Sequence, residues 1–270
     1  MPARPRLRHR PRRVVVLVAG LILAAPLLAS CGGAPPPSGE PTLAAEHSAQ
    51  LRGYFEALAS MQPARLQRAV EQATPGSAAR KYAAFQGDLA AARRDDGVAP
   101  GRARVVHTAR GYDICGPGPG RRRCSQFTGM DLRDGRISGF DVDGEGIADN
   151  LSVGSGEPQD LDAGGSVEFL SSYLQPSTGD YWVVFRVRAT TAPIRLDLAR
   201  ARYARVGGRV LAPVTRSQQR EVTPGTAFTA VLAFAEADIG GTVELRLRVG
   251  ATEQPVDLGT APYVPEEEPS

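Results

Sequence analysis

Few residues in this chain are of types that carry covalent or acid–base chemistry. Three cysteines and three histidines stand in 270 residues. Cys31 follows Leu28-Ala29-Ser30, an apolar residue and two small ones. Cys115 and Cys124 flank Gly116-Pro117-Gly118-Pro119-Gly120-Arg121-Arg122-Arg123. His107 lies six positions before Asp113, and the two suit proton transfer only if the fold makes them converge. Arg121, Arg122 and Arg123 offer guanidinium forks to a phosphate or an anionic headgroup, and a solvated loop tip explains them as well. Asp141-Val142-Asp143-Gly144-Glu145-Gly146-Ile147-Ala148-Asp149 places oxygen ligands at alternate positions, as a calcium loop does. The twelfth position is Ser152 where a glutamate is needed, and no helical pattern flanks the run. It is read as a turn with solvated acids, and no metal or cofactor is expected.

The segment before Cys31 has three parts. Met1 to Arg13 carries six arginines and no acid, Val14 to Ala25 is apolar, and Pro26 breaks the run ahead of the small residues. The apolar run is too short for a spanning helix, which needs about 20 residues. With Leu28-Ala29-Ser30-Cys31 at its end, the segment resembles the signal of bacterial lipoproteins. That resemblance implies cleavage between Ser30 and Cys31 and a diacylglycerol on the Cys31 thiol. Residues 1–30 are then a signal peptide, and the protein is extracytoplasmic and lipid-anchored to the cell membrane or envelope. Arg12-Arg13 leaves Sec and twin-arginine export both open.

Removal of that leader changes the charge. The whole chain has 32 basic and 29 acidic residues, for a net +3. Without the six leader arginines, 26 basic residues face 29 acidic ones. Nothing in the mature charge points to nucleic acid. Cys115 and Cys124 remain as a pair in an oxidising compartment, where a structural disulfide is expected. Closing the hairpin between them is worth roughly 2–3 kcal/mol.

Residues 31–46 are rich in Pro and Gly and read as a tether. Residues 47–152 then begin helical. Leu51, Tyr54, Phe55, Leu58 and Met61 share one helix face. Pro63 suits the first position of a second helix, and Ser77 suits the cap of a third carrying Tyr82, Phe85 and Leu89. Tyr54, Phe55, Tyr82 and Phe85 are read as core packed against a sheet, with the lining of a ligand cavity as the alternative. From Ala103 the period becomes two, with turns at Asp134-Gly135 and Asp143-Gly144. This is an α+β domain, helices followed by an antiparallel meander. The two strands around Asp134-Gly135, from Phe127 to Gly144, resemble the NTF2-like (SnoaL-like) cone domains of actinobacterial secreted lipoproteins. That family holds both enzymes and non-catalytic binding modules.

Residues 153–165 are Gly- and Asp-rich and read as a linker, and 166–261 run strand after strand. Tyr181, Val183, Phe185 and Val187 alternate with Arg186 and Arg188, and Val243, Leu245, Leu247 and Val249 with Glu244, Arg246 and Arg248. About seven short strands predict an all-β Ig-like sandwich. Tyr181–Val187, Thr223-Pro224-Gly225 and Phe228–Phe234 resemble the telokin-like Ig-like modules of bacterial lipoproteins, which bind or space. Trp182 reads either as a core anchor or as a surface contact. Residues 262–270 form an acidic tail.

Two functions follow. One is a non-catalytic binding or accessory module of the envelope, tethered to the membrane and meeting another envelope protein or a small ligand. The other is a small-ligand carrier or cavity enzyme using the first domain, which requires a deep cone pocket with Asp113, His107 or a tyrosine pointing inward.

Overall fold

The computed structural model describes residues 43–101, 103–116, 124–162 and 164–261. The leader, most of the tether and the acidic tail lie outside them.

Three helices come first: α1 (Leu43–Ser60), α2 (Pro63–Gln72) and α3 (Ala78–Asp95). Helix α1 starts four residues inside the expected tether. Pro63 occupies the first turn of α2, where its missing N–H costs nothing. Ser77 Oγ accepts from the Arg80 N–H at 3.2 Å and caps α3.

A five-stranded antiparallel meander follows, comprising β1 (Arg104–Thr108), β2 (Gly111–Cys115), β3 (Cys124–Arg133), β4 (Arg136–Val142) and β5 (Glu145–Gly146). Asp134 and Gly135 turn β3 into β4 with φ of 51° and 72°, and Asp143 and Gly144 repeat the device at 54° and 93°. Paired positive φ matches the twist that a two-residue hairpin needs. Cys115 and Cys124 are register partners on β2 and β3 and form a disulfide.

The rest of the chain is antiparallel sheet. A second sheet holds β6 (Leu151–Val153), β7 (Gln159–Leu161), β8 (Gly165–Gln175), β9 (Asp180–Ala189), β13 (Thr215–Arg216) and β15 (Ala227–Ala235). A third holds β10 (Ile194–Leu196), β11 (Arg202–Ala204), β12 (Val210–Leu211), β14 (Glu221–Val222), β16 (Thr242–Val249) and β17 (Thr252–Gly259). Strand β17 contains Pro255, which lacks the N–H of a central strand. It is tolerated because β17 pairs only with β16, at the sheet edge. Strand β12 is only two residues long, and Val210 on it and Val214 after it are exposed.

The second sheet is covered on both faces. Tyr181, Val183, Phe185 and Val187 meet Leu196, Tyr203, Leu245 and Leu247 of the third sheet in one core. On the opposite face Tyr173, Val184 and Val231 join the core built by the helices and the meander. Strand β15 is accordingly buried almost throughout, the pattern of a strand covered on both sides. A bulge at Leu170 allows β8 to serve both cores. Phe169 faces Phe185 and Ser171 faces Val184, so one extra residue is inserted. Val167 and Phe169 before it point to the third sheet, whereas Tyr173 after it points to the helices.

The two halves are therefore not beads on a linker. Segment 153–165 supplies β7 to the second sheet, and Leu151–Val153 pairs with β8. Helix α3 binds that sheet directly. Asp88 accepts from Ser171 Oγ at 2.7 Å, Asp95 from the Thr229 N–H at 2.8 Å, and Asp96 from the Gln218 N–H at 3.1 Å. Burial pushes the Asp88 carboxyl up, opposed by the Ser171 hydrogen bond and Arg186 and reinforced by Glu168.

A carboxyl whose folded-state pKa is raised adds stability below its ordinary pKa, and that contribution fades as pH rises through the raised value. We predict that Asp88→Asn, which keeps an acceptor for Ser171, removes this slope. Wild-type stability relative to the variant should fall as pH rises above about 4, read from urea unfolding. A difference that stays flat from pH 4 to 7 would contradict the assignment.

Candidate ligand groove

The space between the helices and the meander is filled by aromatic rings. Phe55 stacks on Tyr112 at 4.7 Å and meets Tyr54 and Phe127 at 5.2 Å and Phe140 at 5.6 Å. Tyr82 contacts Phe140 at 5.4 Å and Tyr173 at 5.1 Å. Tyr54 Oη donates to the Ala79 carbonyl at 2.7 Å. Burial raises the pKa of Tyr54 and Tyr82, so both phenols stay protonated. The four aromatics expected in the core are there.

His107 and Asp113 do not converge. His107 is opposite Tyr112 in the β1–β2 ladder, and Asp113 is opposite Val106. Adjacent strand positions point to opposite faces, so the imidazole and the carboxylate leave the meander on different sides. His107 is exposed at the edge strand with its ring 5.1 Å from Tyr112. The acidic run is occupied with turn formation. Asp143 Oδ1 accepts from the Gln126 N–H at 2.8 Å, and the Asp143 N–H donates to the Gln126 carbonyl at 2.8 Å. Among the described residues no cluster of His, Cys, Asp and Glu is arranged to hold a metal. Ser30, Cys31, Arg121, Arg122 and Arg123 lie outside the described residues.

A concavity runs along the rim of this aromatic core. Three depressions of about 580, 240 and 180 Å³ adjoin through shared walls. Ala59 and Ala103 are common to the first two, and Met61, Tyr82, Gln86 and Ser125 to the last two. Met61 sits where α1 ends, with φ of 48°, a conformation that side chains rarely adopt. Trp182, half-buried on β9, closes the far end beside Phe85 and Leu89. Its ring packs against the core of the helices rather than standing free.

The outer depression is polar, with Glu56, Ser60, Gln62 and Arg65 in its wall, whereas the two inner ones are mostly apolar, with Gln86, Ser125 and Gln175 among their polar groups. Arg93 flanks the far end, and desolvation lowers its pKa. Tyr173 Oη is buried there without a protein partner, and Asp143 Oδ2 is buried and likewise unpaired. Burial, followed by Tyr82 and Asp143, pushes the Tyr173 phenol far up. No histidine or cysteine lines the groove among the described residues. The arrangement suits an apolar body with one or two hydrogen-bonding groups, and it lacks a nucleophile beside a base. The chain matches no family model, no curated protein and no solved structure.

Sequence reading missed Asp88, Ser171 and Tyr173. The parity switch at Leu170 reverses which residues of β8 face the helices, and nothing local in the sequence marks it. An unpaired buried hydroxyl costs about 1–3 kcal/mol. Tyr173→Phe removes it while keeping the ring contacts. We predict a gain of about 1 kcal/mol in unfolding free energy, measured from urea midpoints. A loss instead would show that the hydroxyl is satisfied in solution.

Proposed function

We propose that this protein is a membrane-anchored extracytoplasmic lipoprotein acting as a non-catalytic binding or accessory module of the cell envelope. The observation that carries the reading is Leu28-Ala29-Ser30-Cys31 at the end of an arginine-rich, then apolar, leader. A diacylglycerol on Cys31 supplies two chains, enough for stable anchoring where a single chain is marginal. The Cys115–Cys124 disulfide supports the address, because such bonds persist in oxidising compartments. The aromatic filling between helices and meander supports a non-catalytic role, as does the divergence of His107 and Asp113. In this reading the α+β part is an NTF2-like module and the paired sheets after it an Ig-like, telokin-like one. Its partners are the membrane, through the anchor, and another envelope protein or a small ligand.

One observation favours the carrier reading. The groove from Ala59 to Trp182 is mostly apolar-walled, and Tyr173, whose buried hydroxyl has no protein partner, is among the residues at its far end.

Cys31→Ala tests the anchor. On fractionation of the native host, the variant should move from the membrane to the soluble extracytoplasmic fraction. Unchanged membrane retention would overturn the lipoprotein assignment.

A further inference from the structure

The outer face of the third sheet carries a row of charges set by strand register. Glu221 on β14 is opposite Arg195 on β10, Arg195 is opposite Arg248 on β16, and Arg248 is opposite Glu253 on β17. Two arginines thus face each other in the middle of the row, an arrangement that by itself destabilises a sheet. The acids relieve it unequally. Glu221 pairs with Arg195 at 3.3 Å. Glu253 pairs with Arg246 at 3.2 Å and Arg200 at 3.5 Å. Arg248 is left without an acid partner among the described residues.

These side chains line a depression of about 170 Å³. Arg195, Arg200, Arg246 and Arg248 supply four positive charges there against the two carboxylates of Asp197 and Glu253. Facing side chains on neighbouring strands stand about 5 Å apart at Cβ, which lets two guanidinium forks close on the oxygens of one tetrahedral anion. The backbone under them is fixed by ladders to β10, β14 and β17, so binding needs no rearrangement of the sheet.

We propose that this depression binds a phosphate-class anion between Arg195 and Arg248, with Arg200 and Arg246 as flanking charges. The phosphate belongs either to a soluble molecule or to a phospholipid headgroup, and the chemistry of recognition is the same. The inference stands apart from the groove and from the anchor.

The test uses the full chain carrying Cys31→Ala, which removes the lipid, titrated with inorganic pyrophosphate by calorimetry. Saturable binding is expected. Arg195→Ala and Arg248→Ala should each weaken it at least about tenfold, the size of losing a charge-assisted contact. Glu253→Gln should tighten it several-fold by removing a lining negative charge and releasing Arg200 and Arg246. Far-UV circular dichroism should be unchanged in all three. Arg94→Ala, at an exposed position at the end of α3, should leave binding alone. Equal weakening by Arg94→Ala would reduce the effect to general charge and overturn the site. Co-sedimentation with vesicles containing phosphatidic acid, lost with Arg248→Ala, assigns the headgroup source. Pyrophosphate binding without vesicle binding assigns a soluble phosphate. Binding of neither probe at millimolar concentration overturns the proposal.

Discussion

The fold depends on one helix being usable from two sides. Helix α3 presents Tyr82, Phe85 and Leu89 to a core that the meander and the second sheet complete together. Ala79, Ala83, Ala90 and Ala92, all buried, let strands approach its axis closely. The C-terminal end of α3 carries Asp95 and Asp96, where the helix macrodipole disfavours negative charge. They are held by the Thr229 and Gln218 N–H groups of the second half. Loosening α3 would therefore expose two sheets at once, which joins the halves into one compact unit.

That constraint determines where function can reside. With the interior of the α+β part occupied by rings, concave surface remains at the rim of that core and, farther along the chain, on the outer face of the third sheet and between β7, β8 and β17. The inner part of the rim groove is mostly apolar, and its outer part carries Glu56, Ser60, Gln62 and Arg65. The sheet face is a lattice of arginines and acids whose pairing leaves Arg248 over. The two surfaces differ in chemistry and lie on different elements, so one can be altered without touching the other.

Much of the local architecture was legible in the sequence, since it rests on short-range rules. Pro63, Ser77, Asp134-Gly135 and Asp143-Gly144 act through their own backbone preferences, and each appears where those preferences predict. The cysteine pair was readable because it flanks a Gly- and Pro-rich segment, and it joins neighbouring strands. The alternation of Tyr181 to Val187 marked the face that meets the third sheet. The other face looked solvent-bound because of Arg186 and Arg188, yet Trp182 and Val184 on it pack against the helix core. Strand β17 escaped notice because Pro255 argues against a strand unless the strand is known to be an edge.

By itself the sequence determined the starts of α2 and α3, the two Asp-Gly turns and the aromatic core, all consequences of residue type and spacing. Only the tertiary structure decided that His107 and Asp113 diverge and that a bulge at Leu170 turns Tyr173 toward the helices. It also decided that the 153–165 segment builds a sheet instead of separating two domains, and that Arg195 meets Arg248. The physical reason is common to all four. Each depends on register between strands distant in sequence, and a shift of one residue reverses the face on which every later side chain lies.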